Sequence, residues 1–482
     1  MNSKQRWVLG VTAAASLLVV LDALVVSTAL STLRLDLHAS VAELEWTVNG
    51  YALSFAVLLM TAAVLGDRFG RRRILAMGIG LFAVASAGCA LAPTIGWLIA
   101  FRVLQGAGAA LVVPTALALL GAAFPPQLRP RALGVFAGVS GLAVPLGPLL
   151  GGAVVQGISW PWIFWLNVPA GVVLIAVVLT RIDESHGPRG AVDVPGLALV
   201  TGAALGIVWG LVRGNPAGWG SPEVVGALVA GAALTAGFAL WERRAAAPML
   251  PLRLFASRRF SAGNAAVFFH WGSALGAVFF LSQFLQTGLG YGPLDAGLRL
   301  MPWGATTVFV PQLAGRLIGR FGERRFVVGG MALHGASMVW IALIARPDLA
   351  YGQLVVPAIL SGAGVAMSIP AAQSAVLGAV APQDIGRASG AFSTMRQLGG
   401  AFGVAVVVAV FAGAGGGYGS AQAFSDGFVA AIAASAGLAA AAALAGSALP
   451  GRRRPVLTPP PPALALDDDL PVLLPTTQRE PS

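Results

Sequence analysis

Between residues 7 and 449 the chain runs through fourteen long apolar stretches. They lie at about 7–33, 47–66, 74–92, 97–120, 131–156, 160–180, 194–212, 222–241, 261–288, 297–315, 326–345, 351–378, 388–412 and 425–449. Each is long enough to match the hydrocarbon thickness of a bilayer, and each is continuous rather than alternating, as helices require and barrel strands do not. Lipid offers the backbone no hydrogen-bond partners, so only helices and closed barrels span it. The pattern therefore predicts an all-α polytopic membrane protein with 14 transmembrane helices. Charged residues make up only 10% of the chain, against roughly a quarter in soluble domains.

A net charge of +11 would suit a nucleic-acid binder, but the placement of the basic residues excludes that partner. Loops on the side of the two termini carry 24 of the 30 Lys and Arg; the opposite loops carry Arg34, Arg213, Arg299 and Arg346. By the positive-inside rule both termini are cytoplasmic and the lipid bilayer is the partner the charge addresses. The first run is too long for a signal-peptide core and reads as an uncleaved helix. Cys89 is the only cysteine, so no intramolecular disulfide or cysteine-rich metal site is expected. The Pro-rich segment 451–482 reads as a disordered cytoplasmic tail. Abundant Ala, Gly and Arg with a single Lys suggests a GC-rich bacterial genome and hence a bacterial cytoplasmic membrane.

Arg396 lies inside a span, and so do two charges of opposite sign in the first half, Asp22 and Arg102. A charge near the bilayer centre costs roughly 2.5–3.5 kcal/mol on insertion scales, so one is usually kept for a task. Opposite signs suggest a proton-handling pair; a fixed ion pair holding helices 1 and 4 together is the other reading.

An internal repeat organises the spans. AVLGDRFGRRR at 63–73 recurs as GRLIGRFGERR at 315–325. Gly106, Ala107, Gly108, Ala110 and Pro114 recur 256 residues later as Gly362, Ala363, Gly364, Ala366 and Pro370. Arg131, Ala132, Gly134 and Phe136 recur as Arg387, Ala388, Gly390 and Phe392. Each match is shifted by eight spans rather than six, so two helices are inserted between two six-helix halves. The expected organisation is 1–186 for the first half, 187–247 for the inserted pair and its linkers, and 248–450 for the second half. Related halves about an axis along the membrane normal describe a transporter with its site between them. The buried charges are not repeated: Arg102 corresponds to Ala358, and Ser140 to Arg396.

Four segments together resemble the major facilitator superfamily, and within it the 14-helix drug:proton antiporter branch of the EmrB/QacA type. They are LGDRFGRRR at 65–73, FRVLQGAGAALVVP at 101–114, GVSGLAVPLGPLLGG at 138–152 and RASGAFSTMRQLGGAFG at 387–403. The resemblance covers about residues 7–450. It implies a major facilitator fold, rocking of the halves, and proton-coupled efflux of small, mostly apolar drugs or antibiotics. The implied partners are a small-molecule substrate and protons, with no enzyme activity, no metal and no cofactor beyond the coupling proton. It also implies function as a monomer.

In that family the loop carrying Asp67, Arg68, Gly70, Arg71 and Arg72 latches the halves in the outward-facing state; setting topology alone is the other reading. Gly138, Gly141, Pro145, Gly147, Pro148, Gly151 and Gly152 match the run that marks antiporters, with the glycines allowing close helix approach and the prolines bending the span. Asp22 and Arg102 match the acidic position of helix 1 and the basic position of helix 4. Ala63, Ser27, Ser31 and Pro161 stand where the family usually has Gly, Asn, Pro and Arg. Asn49, Tyr51, Gln283, Gln286 and Gln373 are candidates for lining a substrate cavity, with interhelical hydrogen bonding as the alternative for each, and Arg396 is a candidate for binding an anionic substrate group there, with pairing or snorkelling as its alternative. His270 and His334 read as helix glue or proton relay, Asn167 and Asn264 as cavity or interhelical groups. No phosphate-binding GxxxxGK[ST] loop, HExxH or serine-elbow motif is present, which argues against a fused motor or enzyme. Metabolite uptake or facilitated passage is the alternative within transport, and a non-transporting membrane sensor the alternative outside it.

Overall fold

The structure, a computed structural model, describes residues 2–125, 128–187, 193–245, 248, 250, 252–380 and 384–451. The expected tail and the 187–247 boundaries fall largely outside the described residues. The first part holds α1 (Ser3–Asp36), α2 (Val41–Phe69), α3 (Arg71–Ala90), α4 (Ile95–Ala123), α5 (Arg129–Gly141), α6 (Ala143–Gly157), α7 (Trp162–Trp165) and α8 (Asn167–Arg181). Next come α9 (Val194–Ala217) and α10 (Pro222–Glu242). The last part holds α11 (Arg258–Gln283), α12 (Pro293–Phe321), α13 (Glu323–Ile344), α14 (Gly352–Leu377), α15 (Ile385–Gly413) and α16 (Ala421–Ser447). A π-turn, Phe284–Gly288, ends α11.

The described residues form helices and no strands. Among the described residues twelve helices are long and apolar enough to cross a membrane, or 13 if α2, bent by 52° between Val41–Leu59 and Thr61–Phe69, is one span. The 29-residue α12 lies outside that number; it carries Asp295, Arg299, Arg316 and Arg320. Two expected spans are broken helices: 131–156 divides at Leu142 and 160–180 at Leu166. Proline explains the first break, because Pro145 cannot donate to the carbonyl of Gly141. α2 starts at Val41, six residues before the expected 47, because Ser40 and Glu43 form a capping box.

The sequence repeat is also a repeat of close approaches. A Cβ on Gly108 would lie 2.7 Å from the Phe82 nitrogen of α3; on its counterpart Gly364 it would lie 2.4 Å from the Gly330 carbonyl of α13. Likewise Gly106 would meet the Tyr51 carbonyl at 2.3 Å and Gly362 the Trp303 carbonyl at 2.3 Å. Small residues let these backbones touch where lipid supplies no hydrophobic drive for association.

The two parts meet mainly through α6 with α12 and α2 with α15, and α1 also touches α11. Their hydrogen bonds lie toward the end of the bundle away from the termini. Ser282 Oγ donates to the Ser27 carbonyl at 3.1 Å and Gln286 Nε2 to the Thr28 carbonyl at 3.1 Å. The Leu294 N–H donates to Gln156 Oε1 at 3.0 Å. Among the described residues no hydrogen bond or ion pair joins the two parts at the terminus-bearing end. The bundle is thus closed at its far end.

Candidate functional site

Asp22 and Arg102 meet. Burial leaves them 3% and 1% exposed, and Arg102 Nη1 lies 2.5 Å from Asp22 Oδ2. The carboxylate accepts two further bonds on Oδ1, from Gln105 Nε2 at 2.9 Å and Asn167 Nδ2 at 2.8 Å. Arg102 also donates to the Thr47 carbonyl at 3.0 Å and to Gln105 Oε1 at 2.6 Å, and its guanidinium lies 4.3 Å from the Tyr51 ring centre. Ser86 Oγ accepts from Gln105 Nε2 at 2.7 Å and from Asn167 Nδ2 at 3.3 Å.

Residues of α1, α2, α3, α4 and α8 therefore converge on one carboxylate. Each charge is paired, and each carboxylate oxygen has a donor, which is what makes a buried ion pair tolerable. Among the described residues the second half has no equivalent: Ala358, at the place of Arg102, packs among Val278 and Trp303. Sequence reasoning leaves out Gln105, Ser86 and Thr47, because many uncharged polar residues lie in these spans and nothing in the sequence sets these three apart.

The 65–73 loop is built on Gly70, whose φ of +106° glycine adopts without strain and whose Cβ would lie 2.6 Å from the Glu184 carboxyl carbon. Its counterpart Gly322 has φ +85°. Glu184, rather than Asp67, faces the N-terminus of α3: it accepts from the N–H groups of Arg72 at 2.9 Å and Arg73 at 3.3 Å. Asp67 pairs with Arg71 at 2.7 Å. Arg72 reaches the Ile182 carbonyl, and the Arg68 guanidinium lies over its neighbour Phe69. These partners all belong to the first half.

The Gly-Pro run divides by face. A Cβ on Gly147 would meet Leu24 Cβ at 2.6 Å, and one on Gly151 the Thr28 hydroxyl at 2.3 Å, so these two seat α6 on α1. A Cβ on Gly152 would sit 2.3 Å from the Pro293 carbonyl of α12. On the facing helix, Gly297 lies against the Pro148 carbonyl and Gly304 against Pro145. Gly138 and Gly141 differ from expectation: nothing lies within 4 Å of a Cβ at either, so they make no close approach.

The model of the Major Facilitator Superfamily matches residues 12–404. The chain belongs to that superfamily. It is a membrane transport protein and not an enzyme. It is 36% identical over 394 residues to the tetracenomycin C resistance and export protein of Streptomyces glaucescens, covering 81% of this chain and 73% of the relative. It is 33% identical over 415 residues to the multidrug resistance protein Stp of Mycobacterium tuberculosis, covering 86% and 77%. The lincomycin resistance protein of Streptomyces lincolnensis is 36% identical over 417 residues, covering 85% of each chain. Among solved structures, a bacterial homolog of the human lysosomal transporter Spinster shares the fold at TM-score 0.66 and 16% identity, covering 93% of this chain and 98% of that one. A POT family transporter does so at 0.69 and 14%, covering 91% and 94%.

Within this superfamily fold the cavity candidates separate. Gln283 and Gln286 belong to the closed end, where Gln283 accepts from Tyr418 and Gln286 bonds the Thr28 carbonyl. Tyr51 is buried beneath Arg102 and donates to the Val19 carbonyl at 3.1 Å. Asn49 is buried and donates to Glu45. Gln373 is exposed. Arg396 lies half-buried with its guanidinium 5.3 Å from the Trp271 ring centre, and its Nε has no hydrogen-bond partner. His334 bridges Ser273 and Ser361 at 2.9 Å each, and His270 bonds Ser368 at 2.8 Å. Asn264 Nδ2 donates to the Phe260 carbonyl within its own helix.

Proposed function

We propose that the protein is a proton-coupled antiporter that exports small, mostly apolar drugs or antibiotics across a bacterial cytoplasmic membrane. It works as a monomer of 14 spans, with α9 and α10 as the inserted pair and both termini cytoplasmic. The far end of the bundle is then the external end, closed in this structure. The names of the relatives, which include resistance and export proteins, support the substrate class and direction.

The observation that carries proton coupling is the sealed Asp22–Arg102 cluster. A proton on Asp22 would remove the charge that Arg102 answers. Arg102 would be left to the Thr47 carbonyl, Gln105 and the face of Tyr51. That change weakens the tie between α1 and α4, giving protonation a way to bias the rocking of the halves. Loading from outside with the outer end open, and release toward the cytoplasm, harnesses about 2.3 kcal/mol per proton at 100 mV. The 65–73 loop, paired inside its own half here, is free to latch the halves once the outer end opens.

Dye or antibiotic transport into inverted vesicles, with and without a proton gradient, tests the reading in wild type and Asp22→Asn. Gradient-driven accumulation should vanish in the variant. Undiminished gradient-driven transport in Asp22→Asn overturns the coupling assignment, and movement only out of inverted vesicles overturns export.

A further inference from the structure

A second buried carboxyl lies apart from the Asp22 cluster. Glu45, one turn into α2, is 0% exposed, and Asn49, one turn on, is also 0% exposed. Asn49 Nδ2 donates to Glu45 Oε1 at 2.9 Å. The other carboxyl oxygen, Glu45 Oε2, and the other amide atom, Asn49 Oδ1, are both buried with no hydrogen-bond partner. With the carboxyl ionised, both are acceptors. One proton on Oε2 would turn the first into a donor and leave an acid–amide pair in which each group both gives and receives.

No cation answers Glu45: it makes no ion pair among the described residues. The ionisable groups on the helices packed against α2 are exposed, as Arg6, Asp36 and Arg73 are, or hold other partners, as Lys4 holds Asp183 and Cys89 holds Gln105. Arg102 on α4 and Asp22 on α1 hold each other, and Arg34 of α1 lies over Tyr418. Arg213 on α9 holds Glu223, and Arg396 on α15 lies over Trp271. Arg387 of α15 holds Asp384, and Arg71 and Arg72 of α3 serve Asp67 and Glu184 at the opposite end. An ionised carboxylate fully buried from solvent with one neutral donor is strongly disfavoured against its neutral form.

The position links this group to the gate. Asn49, Ala52 and Ala56 continue the stripe of Glu45 at helical spacing. Ala52 and Ala56 pack in one cluster with Leu398, Ala401 and Ala405 of α15, across the junction of the two halves.

We propose that Glu45 is a second proton-binding site, which carries a proton whenever the external gate is closed. On closure Oε2 takes a proton from external water and becomes an O–H; when α2 and α15 part, water re-enters and the proton returns to it. The proposal rests on the alternating-access reading above.

Infrared spectroscopy of the full-length protein in nanodiscs tests the protonation. A carboxylic-acid C=O band should be present at neutral pH, shift in D2O, persist in Asp22→Asn, and be lost in Glu45→Gln. Asn49→Ala should move it to higher frequency, a readout that stands even if Glu45→Gln does not fold. Spin labels at Leu35→Cys and Leu298→Cys, in a Cys89→Ser background, test the gate. Raising the pH should widen their separation in wild type and leave Glu45→Gln narrow. A wild type without the band, a band that survives in Glu45→Gln, or equal widening in both proteins overturns the proposal. Neither readout needs substrate or a proton gradient, so failure of Asp22 coupling would show separately in the vesicle assay.

Discussion

Removing the cation from the Asp22 cluster is the sharpest test of how the site is held. In Arg102→Met, Asp22 Oδ2 loses its one donor among the described residues, while Oδ1 keeps Gln105 and Asn167. Stranding one partner of a buried pair costs about 3–5 kcal/mol. The Thr47 carbonyl also loses its side-chain donor, but its loss is partial, so we take about 4 kcal/mol for the whole substitution. Asp22→Asn keeps the shape and strands the guanidinium, which retains the Thr47 carbonyl, Gln105 and the Tyr51 face; about 3 kcal/mol is expected. The double variant holds no buried charge at this place, so its cost should fall short of the sum by about 3 kcal/mol. Unfolding titrations in mixed micelles on the four proteins give the coupling directly. Costs that add to within about 0.5 kcal/mol would refute the argument that the pair is a single energetic unit. The double variant should also fail to couple transport to a proton gradient, which separates holding two helices together from exchanging a proton.

Other substitutions probe the frame around the site. Gly152→Ala puts a Cβ 2.3 Å from the Pro293 carbonyl and should hold the far end open, whereas Gly138→Ala, with nothing within 4 Å, should not; labelling of a cysteine placed in the α6–α12 junction reads the difference. Gly70→Ala forces a side chain into φ +106° and onto Glu184, and should lower stability by about 1–3 kcal/mol by thermal unfolding. Glu184→Ala removes the acceptor for two N–H groups at the start of α3 and should cost about 1 kcal/mol, with faster hydrogen exchange at Arg72 and Arg73.

The meeting of Asp22 with Arg102 is legible in the sequence because an acid and a base deep in the apolar runs of the same half leave few ways to be paired. The close helix contacts are legible too, since the same small residues recur 256 positions apart. The cage around Asp22 is not. Gln105 and Ser86 look like many other polar residues in spans, and only three-dimensional convergence selects them. Glu45 escapes for another reason. A span begun at 47 leaves it in a loop beside Glu43, where two acids look solvated; the Ser40–Glu43 capping box starts the helix earlier and draws Glu45 inside. Gly138 and Gly141 show the reverse: a motif invites one explanation for every glycine in it, while the helix break at Leu142 turns the first two toward open space.

α9 touches both α2 and α15, while α10 leans chiefly on α9. It is fastened to α15 by a hydrogen bond from Asn215 to the Ala409 carbonyl, but meets α2 through the tilted rings of Trp46 and Trp209, 6.0 Å apart. A polar clasp resists shear that two aromatic faces allow. On the proposed alternating-access mechanism, α9 and α10 ride with the second half like an outrigger, and the tryptophan pair becomes the slip plane. On that mechanism, lipid composition beside α10 should load the rocking motion mechanically.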